Sequence, residues 1–242
     1  MILAIDVGNT KIKVAVFELD TIIHKEDFTS EALLEGLKFF LKKYSNCNKS
    51  IISSVSNVSD EVISFLQHNT KLHILSHQSK FPFENKYETP LTLGMDRKVI
   101  VSGAVLNFPK QNCLIIDAGS CITYDFVDEN KNYFGGAISP GIQMRYKALN
   151  HFTAKLPKLE TKEPNNITGN STNESIHSGV VNGVLYEIEG FINDYLREKK
   201  YLTIILTGGD ALFLAKRLKN PIFANSNFLL ESLNVLYQYN IQ

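Results

Sequence analysis

Twice in 242 residues an apolar run ends in an aspartate, a small residue and a glycine, and an alternating strand follows. The first copy reads ILAIDVGNTKIKVAVF over residues 2–17 and the second NCLIIDAGSCITYDFV over residues 112–127. Asp6 and Asp117 stand 111 positions apart, so the repeat divides the chain nearly in half, into 1–111 and 112–242. Each copy predicts a strand, a glycine turn and a second strand, with an acid at the tip of the first.

The remaining periodicity extends both halves in the same order. In the first half, a short strand at 21–24 precedes a helix over 31–43 with Leu33, Leu34, Leu37, Phe40 and Leu41 at helical spacing. A strand at 50–55, a helix at 60–69 and a short strand at 72–75 follow. Residues 79–93, with Pro82 and Pro90, predict a polar loop, and a helix from Asp96 stops by Pro109. In the second half, a strand runs through Ala137, a short helix covers 144–150 and a loop covers 152–169. A long helix spans 172–198, then a buried strand 201–206, a helix 210–218, a short strand 222–224 and a final amphipathic helix 227–239. Repeated β-β-β-α-β-α units predict an α/β protein of two related lobes with a cleft between them, the parallel strands directing their loops to their carboxyl ends.

Composition narrows the partners. Hydrophobic residues make up 44% of the chain, enough for a substantial core, and 25 Lys and Arg balance 25 Asp and Glu. No net field draws it to nucleic acid or an anionic membrane, so neither is an expected partner. Cys47, Cys113 and Cys121 match neither a zinc knuckle nor a CxxC pair, which fits a reducing compartment. The apolar start is short, lacks a basic region and is broken by Asp6. It reads as neither a signal peptide nor a membrane span, and the cytoplasm is the expected location.

Three glycine turns carry candidate chemistry. In Asp6, Val7, Gly8, Asn9, Thr10, Lys11, Ile12, Lys13, the bare Gly8 lets backbone N–H groups approach a phosphate, while Asn9 and Thr10 add donors and Lys11 and Lys13 positive charge. Asp6 would repel a naked phosphate, so its expected role is to hold Mg²⁺ directly or through water. The same turn can also simply close a hairpin. Asp117 with Ser120 and Thr123 repeats a carboxylate and hydroxyls in the second half, and Thr207-Gly208-Gly209-Asp210 lets a flat ligand or a phosphate approach main chain before a helix. No GxxxxGK[ST], HRD/DFG set or GxSxG elbow occurs, so the doubled Asp–Gly turn with a later Gly–Gly points to the sugar-kinase, Hsp70 and actin architecture.

A fourth segment, Gly94-Met95-Asp96-Arg97, suits an acceptor. Asp96 either caps the helix that follows or takes the proton of an acceptor hydroxyl. Arg97 offers paired donors to a carboxylate, and Tyr87 upstream can wall a small pocket.

Six segments in order now carry a resemblance: DVGNTKIK at Asp6–Lys13, Tyr87 ahead of GMDR at Gly94–Arg97, DAGSCIT at Asp117–Thr123, FGGAISPG at Phe134–Gly141, TNESIHSG at Thr172–Gly179 and TGGDA at Thr207–Ala211. Across nearly its full length the chain resembles the type III pantothenate kinases. The resemblance implies two ribonuclease H-like, actin-like ATPase lobes with a central nucleotide cleft, and transfer of the ATP γ-phosphoryl group to pantothenate, giving 4′-phosphopantothenate at the first step of coenzyme A synthesis. It implies Asp96 as catalytic base, Asp6–Lys13 and Ser120 as contacts of Mg·ATP, and Tyr87, Gly94, Met95, Asp96, Arg97 and Thr172 as contacts of pantothenate. Asp117 corresponds to the family's monovalent-cation ligand, for K⁺ or ammonium. The family is dimeric, which makes 172–198 the expected dimer helix and lets Thr172 reach a neighbouring subunit's substrate. Rival readings are a kinase for another small hydroxylated acid and an ATP-bound regulatory protein; turnover on a panel of alcohols separates them.

Overall fold

In a computed structural model, which describes residues 1–55 and 58–241, the first copy of the repeat forms β1 (Ile2–Val7) and β2 (Ile12–Glu18), followed by β3 (Thr21–Phe28), α1 (Leu33–Lys43), β4 (Lys49–Ser54), α2 (Asp60–Asn69), β5 (Lys71–Ile74), β6 (Glu84–Asn85) and α3 (Met95–Asn107). Sheet order is β3-β2-β1-β4-β5, antiparallel from β3 to β1 and parallel from β1 to β5. Every residue of β1 is buried, as a strand covered on both faces requires. Leu3, Ile5 and Val7 point to one face and share a core with Leu33, Leu37 and Phe40 of α1 and Val62 and Leu66 of α2. By alternation Ile2, Ala4 and Asp6 point to the other.

The second copy forms β7 (Cys113–Ala118) and β8 (Cys121–Val127), then β9 (Asn132–Pro140), α4 (Ile142–His151), α5 (Thr172–Glu198), β10 (Thr203–Thr207), α6 (Ala211–Ala215) and β11 (Phe223–Ala224). The order β9-β8-β7-β10-β11 matches β3-β2-β1-β4-β5 strand for strand, so the sequence repeat is a repeat of topology. Leu114, Ile116 and Ala118 pack with Ile142 and Tyr146 of α4 and with Val181, Val184 and Ile188 of α5.

The last helix, α7 (Phe228–Ile241), departs from the expected division. Contacts separate residues 1–110, 130–133 and 227–242 from residues 111–129 and 134–226, so α7, expected in the second half, packs in the first unit. There it lies against α3, β1 and β4. It comes close to α3 at Gly103, where an added Cβ would stand 1.8 Å from Ser232 Oγ.

Two further differences have local causes. β3 is longer than expected because a bulge between Val16 and Phe17 lets pairing with β2 continue to Phe28. The loop 79–93 contains β6, a two-residue strand whose parallel partners are Asn132 and Tyr133. Among the described residues no helix is long and apolar enough to cross a membrane.

Candidate functional site

In the first unit the end of β1 sets the site. Asp6 is buried, and its register partners are Lys13 on β2 and Ser53 on β4. Directly opposed residues share a sheet face, so a carboxylate, an ammonium and a hydroxyl line up across three strands. The buried Ser53 Oγ has no hydrogen-bond partner among the described residues. Beyond Asp6 the turn is tight: the Gly8 N–H donates to the Lys11 carbonyl at 3.2 Å, and a Cβ on Gly8 would press on that oxygen at 3.1 Å. Asn9 and Thr10 are exposed at its tip. Lys11 is exposed, and its Nζ lies 3.4 Å from Asp27, the register partner of Lys13 on β3.

The second unit repeats this arrangement with different chemistry. Asp117 is flanked in register by Thr123 on β8 and Thr207 on β10. Both threonine Oγ1 atoms are buried without a hydrogen-bond partner among the described residues. Lys13 is thus matched by Thr123, and Ser53 by Thr207. Gly208 has φ +97°, and a Cβ there would meet Ala118 O at 2.3 Å and Asp117 Oδ1 at 2.5 Å. Only glycine lets the β10 turn close over the carboxylate in this way. Gly141 approaches from β9, its N–H donating to Ser120 O at 3.2 Å, while Ser120 itself is exposed. Asp210 donates its N–H to Ala118 O at 3.0 Å, and burial raises its carboxyl pKa. Among the described residues no three His, Cys, Asp or Glu side chains are grouped so that they could hold a metal ion.

The acceptor segment is assembled within the first unit. Tyr87 stacks on the buried Tyr133 with centroids 6.2 Å apart, and the Arg97 guanidinium lies 5.7 Å from the Tyr87 ring centroid. Asn85 fixes the loop by accepting the Tyr87 N–H at 3.0 Å. Arg97 is only 5% exposed, whereas Asp96 is half-buried at the first turn of α3. Asp96 Oδ1 accepts the Arg97 N–H at 2.8 Å, and a Cβ on Gly94 would sit 2.4 Å from that oxygen. Gly94 therefore leaves the space that this carboxylate occupies, and Met95 is buried beside it.

Thr172 belongs to the second unit, as the first residue of α5. Ser171 caps the helix, its Oγ accepting the Glu174 N–H at 3.2 Å. Thr172 rims a cavity of about 920 Å³ whose apolar wall includes Leu149, Leu156, Ile176 and Val180. Along α5, Val180, Val181, Val184, Leu185 and Ile188 are buried inside their own unit, and Phe191 is half-buried against the same core. The outward face instead carries Gly179, Tyr186 and Gly190.

Ser53, Thr207 and Gly141 are site neighbours that the motifs did not single out in these roles. Extending the repeat from its first two strands to β4 and β10 would have found the first two, because it aligns Ser53 with Thr207.

The sequence profile described as type III pantothenate kinase matches residues 2–194. A type III pantothenate kinase from Flavobacterium johnsoniae is 53% identical over 241 residues, covering 100% of this chain and 99% of the relative. One from Bacteroides fragilis is 38% identical over 244 residues, covering 99% and 98%. Among solved structures, a Baf family protein from Campylobacter jejuni aligns with TM-score 0.62 at 22% identity, covering 99% of this chain and 98% of the other. An activator of 2-hydroxyisocaproyl-CoA dehydratase from Clostridium difficile, with ADPNP bound, aligns with TM-score 0.57 at 12% identity, covering 99% and 95%. At these identities the likeness is one of fold, the two-lobed α/β architecture of the actin and Hsp70 ATPases.

Proposed function

The chain belongs to the type III pantothenate kinase family, and from that premise we propose how its residues divide the transfer of the ATP γ-phosphoryl group to pantothenate. The reaction yields 4′-phosphopantothenate and ADP, the first step of coenzyme A synthesis. Phosphoryl transfer of this kind is achieved mainly by positioning and charge stabilisation.

Asp96 is the catalytic base. Its Oδ1 is engaged by the Arg97 N–H, which orients the carboxylate and leaves Oδ2 to receive the proton of pantothenate's primary hydroxyl. As that oxygen bonds to the γ-phosphorus, the bond from phosphorus to the β,γ-bridging oxygen breaks and ADP leaves. Arg97 holds the pantothenate carboxylate. The guanidinium lies 5.7 Å from the centroid of the Tyr87 ring, and its N–H pairs suit the two carboxylate oxygens. Gly94 and Met95 shape the approach, and Asn9, Thr10 and Lys13 contact phosphate in the first unit, with Ser120 an ATP contact in the second.

The two aspartates serve different cations. Asp6, facing Lys13 and Ser53, suits Mg²⁺ held directly or through water, which would neutralise phosphate charge. Asp117, between Thr123 and Thr207, offers one carboxylate beside two hydroxyls that have no hydrogen-bond partner among the described residues, a set suited to a weakly hydrated K⁺ or ammonium. Supporting a homodimer, the apolar cavity beside Thr172 opens along the outward side of α5, and Gly179 and Gly190 there have nothing within 4 Å of an added Cβ. The location proposed is the cytoplasm.

The observation that carries this reading is the Tyr87–Arg97–Asp96 arrangement at the start of α3. It is tested by ADP release from the purified chain with Mg·ATP and pantothenate, in K⁺ and in Na⁺, with the product confirmed by mass. Product formed faster in K⁺ is expected. Equal rates in the two salts would remove the cation role of Asp117, and no phosphopantothenate in either would remove the acceptor assignment.

A further inference from the structure

The first turn of α3 buries a second cation next to Arg97. Lys98 is 4% exposed, its Nζ lies 2.8 Å from His77 Nδ1 and 5.3 Å from the centroid of the Phe81 ring, and it forms no ion pair with a described residue. An ammonium has three N–H donors, and His77 occupies one. Burial lowers the Lys98 pKa, which is the response of a charge taken out of water without a counter-ion.

Lys98 lines a cavity of about 220 Å³ in the first unit. Its other polar neighbours also present donors. An ammonium only donates, so His77 Nδ1 is the acceptor of the Lys98 contact and Nε2 is the ring nitrogen left to donate. Asn85 uses Oδ1 to accept the Tyr87 N–H, so its Nδ2 amide is what remains for the cavity. Phe81, Phe83 and Leu91 supply apolar wall. Lys98, His77 and Asn85 thus line one cavity, and its lining holds one cationic side chain and no carboxylate.

We propose that this cavity is a binding site for a small monocarboxylate, its charge held by Lys98 and its alkyl part against Phe81 and Phe83. A single ammonium neutralises one carboxylate. A phosphate dianion would leave one charge uncompensated and would bring a hydration shell against aromatic walls. At about 30 Å³ per water the volume matches roughly seven waters, room for an acid of a few carbons. An occupant would bridge Asn85 to α3, and so tie the loop that carries Tyr87 to the helix that carries Asp96 and Arg97.

The site needs neither ATP nor pantothenate, so its test is independent of the kinase reading. Thermal unfolding of the full chain is followed with sodium propionate, inorganic phosphate, or sodium chloride at equal ionic strength. Propionate at ten times its Kd is expected to raise the midpoint by about 3–5 °C over chloride. Lys98→Gln is expected to weaken propionate at least tenfold. Leu91→Trp, at a rim position 76% exposed, fills the mouth and is expected to abolish the shift without depending on a change to the buried lysine. Propionate acting no better than chloride, an undiminished shift in Leu91→Trp, or stabilisation by phosphate alone would each overturn the proposal.

Discussion

Asp96 and Arg97 are adjacent, yet their environments assign them different work. Asp96 is half-buried with one oxygen engaged, so replacing it with asparagine keeps the hydrogen bond from Arg97 N–H and removes the proton acceptor. Asp96→Asn is expected to lower kcat by about 10²–10⁴ with an unchanged melting midpoint; near-normal turnover would exclude it as base. Arg97 is buried against Tyr87, and Arg97→Ala is expected to raise the pantothenate KM by roughly 10–100-fold, the worth of a hydrogen bond to a charged group. Arg97→Lys is expected to give little recovery, because an ammonium neither stacks on Tyr87 nor presents paired donors. Steady-state kinetics over pantothenate concentration distinguish these results. At this scale the places of Asp6 and Asp117 at strand ends and of Asp96 at a helix start were legible in the sequence, because each acid lies two residues from a glycine. It was silent on Ser53 and named Thr207 only as part of a glycine turn, because a hydroxyl at a strand end is ordinary until strand pairing sets it beside a particular carboxylate.

Helices with a strong local signal were legible to the residue, and elements made by distant pairing were not. α5 begins and ends at the expected Thr172 and Glu198, since Ser171 and Glu174 form a recognisable N-terminal cap. β6 has no signal of its own, for its two residues become a strand only through Asn132 and Tyr133. The contact of α3 with α7 was equally hidden, although Gly103 marks it. A methyl group at Gly103 would collide with Ser232 Oγ at 1.8 Å and Cβ at 2.6 Å, and with the α7 backbone at 3.2 Å. Because backbone is involved, a side-chain rotation alone does not relieve it. Gly103→Ala is expected to cost about 1–3 kcal/mol, the usual range for overpacking, measured by urea denaturation. Gly179→Ala, with open space around the added Cβ, should change monomer packing little and serves as the control. A Gly103→Ala chain as stable as the parent would mean that α7 does not lie this close to α3.

The chain as a whole is two copies of one topology, but it is not two consecutive segments. Both copies begin where the repeat in the sequence begins, which made the architecture legible; the destination of α7 was not, because an amphipathic helix does not state which sheet it covers. Phe228, Leu229, Leu230, Leu233, Leu236 and Tyr237 are all buried, and α7 packs on the unit formed by residues 1–110. Burying six such side chains is worth roughly 10 kcal/mol, and somewhat less once the compactness of the unfolded chain is counted. Net stabilities of whole domains are only about 5–15 kcal/mol. Residues 1–111 alone would keep α1 and α2 on one face of their sheet while α3 and the opposite face of β1 and β4 lost their cover. That fragment is therefore expected to show no cooperative transition in far-UV circular dichroism, and the same fragment joined to residues 227–241 by a Gly/Ser linker is expected to regain one. Cooperative melting of residues 1–111 by themselves would mean that the first half of the repeat is an autonomous domain and that α7 merely rests on it.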